Sequence, residues 1–276
     1  MIKAGKADFH VHPQYSIDAQ GSIPDYCERA LSLGLEAICF TTHIDLNPAR
    51  DEVDPFIRID GEIIRVTPES LAIYYNDVMS AKGKYAKRGL DVYPGIELDY
   101  FEGVEEIWDN FNPGLDFAFT IGSVHCIEDL AFTYNKEASN LFGKHTERKF
   151  FERYYKSVKS LARSEVIDCI GHLDGYRKYA RSVYPKGLDV FPIDIIGPAL
   201  EAIRDSGKGI EINSSSKRHG SGTTYPSIEI LELAAKVGVP IVSLGSDAHK
   251  PEGLGAGLEE SARLIEELGL TWKPKL

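Results

Sequence analysis

The sequence predicts a single α/β domain over residues 1–276, its parallel strands rolled into a barrel. Two observations carry this expectation. Strand-like apolar runs, seven in all, alternate with helix-like segments along the whole chain, and no linker or low-complexity stretch interrupts them. Six of those runs also end in potential metal ligands: His10 with His12, His43, Glu97, His125, His172, and Asp247 with His249. An open sheet spreads its strand ends along a line, where one small site cannot gather six of them. A barrel sets them in a ring, at the face where (β/α) barrels place their chemistry.

Lys6 to Val11 reads as the first strand. Residues i and i+2 of a strand point the same way, so His10 and His12 leave one face together. Ser22 suits a helix N-cap, Asp25 favours the positive helix end, and Gly34 fits just past the last turn. Glu36 to Thr41 is the second strand, with His43 after it. Ile44 to Val66 is a long polar connection with two prolines, expected as an ordered excursion over one end of the domain. Thr67-Pro68 opens a helix reaching about Arg88. Leu90 to Leu98 is the third strand, and a short helix follows at Val104 to Asn110. Asp116 to Val124 is the fourth strand, ending at His125, and Cys126 to His145 is a second long connection. Thr146 caps the helix of residues 147–163. Its stripe of Phe150, Phe151, Tyr154, Tyr155, Val158 and Leu161 has helical spacing and reads as core packing. Val166 to Gly171 is the fifth strand, ending at His172. A Tyr/Arg/Lys-rich loop, a helix at Ile193 to Asp205 and the sixth strand, Lys208 to Ile212, come next. After the Ser-rich loop Asn213 to Thr224, Pro226-Ser227 opens a helix that Gly238 ends. Pro240 to Leu244 is the seventh strand, and Leu258 to Leu268 is the last helix.

Hydrophobic residues make up 43% of the 276 residues, enough to bury a sizeable core. No apolar run approaches the roughly 20 residues of a membrane span. Met1 to Lys6 has no apolar h-region, so no signal peptide is expected. Cys27, Cys39, Cys126 and Cys169 are far apart and read as reduced, buried thiols of a cytoplasmic protein. The net charge of −11 argues against nucleic-acid binding through a broad basic surface. An anionic substrate would be met by a few local Arg or Lys side chains and by metal ions.

A lone His-x-His pair is a weak signal. Eight imidazoles and carboxylates at strand ends exceed what one tetrahedral zinc uses. They imply two or three divalent ions with bridging carboxylates, and the mixed donors suit zinc, manganese or iron. Asp18, six residues after His12, is a further candidate that also reads as a turn residue before Gly21.

The ordered set HVH, TTH, GIELD, GSVH, IGHLD and SDAH spans essentially the whole chain. It resembles the polymerase and histidinol phosphatase (PHP) superfamily. GHLDGYRKY, EINSSSKRHG and YPSIEIL are similar to segments of its monofunctional histidinol-phosphate phosphatases. The resemblance implies a distorted, TIM-barrel-like (β/α)7 barrel with a di- or trinuclear metal site. It implies hydrolysis of a small phosphomonoester, L-histidinol phosphate, in histidine biosynthesis. By position it assigns His10, His12, Glu97 and Asp247 to a first metal and Asp18, His43 and His249 to a second. Glu97, His125 and His172 would hold a third, with Glu97 bridging. It further implies a basic residue near the substrate phosphate in each loop after strands five and six. Arg177 and Arg218 are the candidates, because a guanidinium fork matches phosphate, with Lys178 and Lys217 as neighbours. The chain departs from the pattern at Thr42, where the family usually has Asp, and at Pro13, where Thr is frequent. Thr42 keeps a hydroxyl for a supporting hydrogen bond.

The expected mechanism is in-line attack on phosphorus by a metal-bridging hydroxide, the pKa of bound water falling from 15.7 to about 7. Asp247 and His249 are the candidates for protonating the leaving group. His145 and His219 lie outside the strand-end pattern and read as surface histidines. Ser123 has no base implied beside it. One competing reading is a relative acting on nucleotides or nucleic-acid ends, and another is a non-catalytic metal-binding module. The acidic balance weighs against long polymers, and the complete ligand set against the module. An amidohydrolase barrel shares the His-x-His but wants eight strands and a lysine where His125 stands. Oligomeric state is left open by the sequence.

Overall fold

A computed structural model describes residues 2–184 and 191–276. Seven strands build one sheet: β1 (Ala7–Val11), β2 (Ala37–Ile44), β3 (Asp91–Asp99), β4 (Phe119–Ser123), β5 (Cys169–Ile170), β6 (Gly209–Asn213) and β7 (Ile241–Gly245). They lie side by side in chain order, every pair parallel. At the upper end β1 meets β7: His12 N donates to Ala248 O at 2.9 Å and Asp247 N to His10 O at 2.8 Å. Beside this joint the buried Asp8 carboxylate accepts Ser246 N and Gly255 N, both at 2.9 Å. The expected seven-stranded barrel is therefore nearly closed, with the helices interleaved outside it.

The helices start and stop where their sequence signals lie. α1 (Ile23–Leu33) has a reciprocal cap, in which Ser22 N donates to Asp25 Oδ2 at 2.8 Å and Asp25 N to Ser22 Oγ at 3.3 Å. α2 (Pro68–Ala86) is capped by Thr67. α3 (Val104–Phe111), α4 (Asn135–Lys144) and α5 (Glu147–Leu161) follow, and the α5 stripe is buried as expected. After the short α6 (Arg177–Ala180) come α7 (Ile193–Asp205), α8 (Ile228–Val237) and α9 (Leu258–Glu267). Among the described residues no helix is long and apolar enough to cross a membrane, and all four cysteines are unpaired.

Inside the barrel the lower layer is apolar, built from Phe9, Cys39, Phe119, Ile121, Cys169 and Val242 among others. The layer above it is polar, and a β-bulge makes the switch. β1 carries one residue more than β2 between Asp8 and Val11. Phe9 fills the apolar layer, and the bulge then turns His10 and His12 into the layer above. Thr41 Oγ1 accepts Val11 N–H at 3.0 Å, taking up a donor near the irregularity.

Some boundaries differ from expectation. His43 lies inside β2, because that strand pairs with β3 as far as Ile44 and Leu98. The excursion after β2 contains an antiparallel hairpin, Phe56–Ile59 with Glu62–Arg65. Its second strand is exposed at every position, so no apolar alternation marked it. Arg58 ties the hairpin to the loop after β1, donating to the carbonyls of Gln14 at 2.8 Å, Ala19 at 2.9 Å and Ser16 at 3.0 Å. The second long connection contains α4. β5 shrinks to two residues, although Asp168 N and Gly171 N still donate to carbonyls of Thr120 and Gly122 at 2.9 and 2.8 Å.

Candidate metal centre

Glu97 sits at the centre of the polar layer. Strand register sets it beside His43. Its Oε2 is 2.9 Å from His43 Nδ1, 3.3 Å from His10 Nε2 and 3.5 Å from His12 Nε2. Its Oε1 is 2.8 Å from His172 Nε2 and 3.5 Å from His125 Nε2. Asp247 Oδ1 faces His12 Nε2 at 3.3 Å, His249 Nδ1 at 3.5 Å and His10 Nε2 at 3.9 Å. Asp18, more than half exposed, reaches in from the loop after β1, 3.2 Å from His249 Nε2 and 3.9 Å from His43 Nε2. All nine candidate ligands thus converge on one place.

Three groups have ligand atoms close enough to share an ion: His10, His12 and Asp247; His12, His43 and His249; and His10, Glu97 and His172. The grouping is not identical to the expected one. His12 stands where Asp18 was expected in the second group, and His10 where His125 was expected in the third. His10 Nε2, His12 Nε2 and Glu97 Oε2 are buried and accept or donate no hydrogen bond among the described residues. Buried polar atoms are nearly always partnered. Three orphans aimed at one another, two imidazoles and a carboxylate, fit a shared divalent cation.

The electrostatics follow from crowding opposite charges in a buried space. Burial pulls His10 down, but Glu211, Glu97 and Asp247 hold it well above its ordinary value. Burial, with His43 and His249 alongside, pushes His12 well below. Burial lowers His43, yet Glu97, Asp18 and Asp247 together outweigh it and raise the ring to about 9. Burial raises Glu97 and Asp247, and the surrounding imidazoles overcome it, holding both carboxyls well below the usual range.

Three of the six inward-facing rings are held at their other nitrogen. His10 Nδ1 lies 2.9 Å from Glu211 Oε2, His125 Nδ1 3.0 Å from Asp99 Oδ1, and His12 Nδ1 3.3 Å from Ser16 Oγ. Such contacts fix ring orientation and tautomer. Thr42 acts one step further out, its Oγ1 2.8 Å from Ser16 Oγ. Ser123 donates to Glu97 Oε1 at 2.5 Å, a buttress for that carboxylate. Sequence reasoning missed Glu211, Asp99 and Ser16. A signal did exist for Glu211, a carboxylate on an interior position of the apolar run Gly209–Asn213.

A cavity of about 1000 Å³ opens above the cluster. Lys178, Arg218 and His219 line it. Arg218 Nη2 donates to the carbonyls of Ser246 and Asp247, both at 2.8 Å, beside the cluster. Arg177 is not part of the lining. It donates to Asp174 Oδ2 at 3.1 Å, to Thr224 O at 3.2 Å and to Ser221 O. His219 is exposed, as expected, and it also lines the open mouth of the cavity, where partial burial and nearby Lys178 pull it down to about 4. His145 pairs with Glu128 at 3.1 Å, apart from the cluster. Across the ring, Asp45, Asp54 and Asp99 line the cavity together with Arg50, which pairs with Asp54, while Asp99 pairs with His125 and burial beside Asp99 pushes Asp45 up to about 8.

A parallel barrel with a buried imidazole–carboxylate cluster at its mouth defines a class of metal-centre barrels. The family model "PHP domain" matches residues 8–215, and the chain belongs to this family. A protein of Deinococcus radiodurans named "Probable histidinol-phosphatase" is 29% identical over 265 residues, 96% of this chain and 94% of that one. The protein named "Histidinol-phosphatase" of Bacillus subtilis is 27% identical over 271 residues, covering 92% of this chain and 97% of its own. Among solved structures, histidinol phosphate phosphatase from Lactococcus lactis, complexed with zinc, L-histidinol and phosphate, shares the fold with a TM-score of 0.75. It is 20% identical and covers 97% of this chain and 95% of its own.

Proposed function

We propose that this chain hydrolyses L-histidinol phosphate to L-histidinol and phosphate in the cytoplasm, using two or three zinc, manganese or iron ions at the strand ends. One observation carries the reading. His10 Nε2, His12 Nε2 and Glu97 Oε2 are buried, without a well-formed hydrogen bond among the described residues and mutually facing, beneath an open cavity. The likeness to the D. radiodurans and B. subtilis proteins over nearly their full length supports the choice of substrate. So does the cavity's polarity. Lys178 and Arg218 suit a phosphate.

His10, His12, Glu97 and Asp247 would hold one ion, His43, His249 and Asp18 another, and Glu97, His125 and His172 a third. Bound there, such ions neutralise phosphoryl charge and make water acidic enough to ionise near neutral pH. Glu97 stays ionised and offers one oxygen to each side of the cluster. Arg218 holds a phosphoryl oxygen from the cavity wall, its guanidinium aimed by the carbonyls of Ser246 and Asp247. Arg177 acts through the loop it braces. His249 stands at the cavity side of the cluster, its ring raised above its ordinary value, where it returns a proton to the departing alcohol oxygen, with the ionised Asp247 3.5 Å from its Nδ1.

The test is phosphate release by the metal-stripped chain reloaded with Mn, Zn or Fe, comparing histidinol phosphate, nucleotides and phosphodiesters. Histidinol phosphate is expected to be hydrolysed fastest. Preference for a nucleotide or diester overturns the substrate, and no release from any of them overturns the enzyme reading.

A further inference from the structure

Glu211 is a fully buried carboxylate inside the barrel to which the proposed reaction gives no part. Its surroundings are unusual in that every partner is a donor. Oε2 lies 2.9 Å and Oε1 3.2 Å from His10 Nδ1. Oε1 also accepts the backbone N–H of His172 and, at 3.2 Å, Asn213 Nδ2. From β6 the side chain thus reaches the end of β1 and the chain just past β5. Asn213 Nδ2 in turn stands 3.4 Å from Asp247 Oδ2. The backbone makes room for this arrangement. On β7 a methyl group at Gly245 would run into His10 Cβ and come within 2.9 Å of Glu211 Oε2.

In the three groups defined by ligand-atom distance, His10 belongs to two, and His172 to one of those two. The group of His12, His43 and His249 contains neither. We propose that Glu211 is a positioning residue that sets two of the three groups at once. It keeps the His10 proton on Nδ1 so that the Nε2 lone pair faces inward, and it anchors the backbone from which His172 reaches in. The proposal rests on the metal-centre reading above.

The chemistry explains why a carboxylate is needed. A neutral imidazole carries its proton on either nitrogen, and a ring protonated at Nε2 cannot ligate there. An anionic acceptor at Nδ1 removes that tautomer and makes the ring a stronger donor to a cation. An amide of the same shape fails, because its NH2 would be turned toward groups that are themselves donors. The hydroxyl of Ser16 beside His12 either donates or accepts, so it imposes no such choice.

The test strips the full chain of metal and titrates it with zinc, reading affinity by calorimetry and bound ions by elemental analysis. Circular dichroism of the metal-free proteins checks the fold. For Glu211→Gln the expected result is a 10–100-fold loss of affinity at the groups containing His10. The ion on the His43–His249 side is retained, so stoichiometry falls without vanishing. Glu211→Asp keeps an all-acceptor side chain and is expected to lose less. A folded Glu211→Gln protein with wild-type stoichiometry, and affinities within about twofold of wild type, overturns the proposal. If that variant does not fold, Glu211→Asp decides: unchanged zinc binding overturns the proposal, and a selective loss supports it. A wild-type chain that binds no zinc, manganese or iron overturns the metal-centre reading instead.

Discussion

Glu97 and Arg177 are both charged, largely buried groups near the mouth of the barrel, yet they are held there in different ways. Glu97 is placed by backbone register, β3 running beside β2 so that Glu97 pairs with His43. The other cluster residues except Asp18 come from strand ends too, and one further contact orients each of His10, His12 and His125. Arg177 and Arg218 sit on the loops after β5 and β6, where no ladder places them. Side chain to carbonyl bonds do so instead, and two arginines from the same kind of sequence context end up differently. Arg177 is spent on Asp174, Ser221 and Thr224, bracing one loop against the other. Arg218 lines the cavity. Strand-borne groups in this molecule share one site by construction, whereas each loop-borne group takes whatever role its local bonds allow.

That contrast breaks most readily at Glu97. Glu97→Gln is expected to lose bound metal and, since ions supply several kcal/mol of transition-state stabilisation, on the order of 10³-fold in turnover. Wild-type metal content and turnover would dissolve the cluster's claim to be one unit. The two arginines come next. Arg177→Ala strands the buried Asp174 carboxylate and is expected to lower stability by about 3 kcal/mol in urea unfolding. Arg218→Ala should leave metal content and stability near wild type and raise KM for the phosphomonoester about tenfold, the loss of one charged hydrogen bond. If the two effects are exchanged, the division between brace and ligand is wrong.

His219 gives the smallest effect. Its folded value of about 4 lies below the ordinary 6.5 because burial and nearby Lys178 disfavour the charged ring. Its contribution to stability is present above pH 6.5 and is lost as pH falls through 4. Because the side chain is partly exposed, the loss is expected to stay below about 1 kcal/mol. Comparing unfolding curves of wild type and His219→Gln between pH 7 and 4 measures it, and identical slopes would show that this exposed ring carries no pH-dependent stability.

What could be read from the sequence followed the same division. The spacing of His10 and His12, the strand ends at Glu97, His125, His172 and Asp247, and the caps at Ser22 and Thr67 all follow from period and local chemistry. Those rules operate over a few residues. The bulge in β1 left no mark, because it depends on pairing with a strand some thirty residues away. The hairpin at Phe56–Arg65 was hidden by a strand without a buried face. Asp99 and Glu211 meet their histidines only through the fold, and Ser16 meets His12 through the turn of the loop after β1. Glu211 alone offered a hint, a charge on an inward-facing strand position. The orientation of Arg177 depends on Asp174 and on a loop more than forty residues further on, so residue type and loop position favoured it as much as Arg218.

The joint between β1 and β7 has a consequence of its own. It is the last seam of the ring, held at the top by two backbone hydrogen bonds and beside them by the Asp8 carboxylate. His10 and His12 stand on one side of it, Asp247 and His249 on the other. An ion bound between His12 and Asp247 would therefore also be a rivet through the seam. To pry the barrel open would be to pull that rivet, and to withdraw it would leave the first and last strands fastened by their own slender stitching.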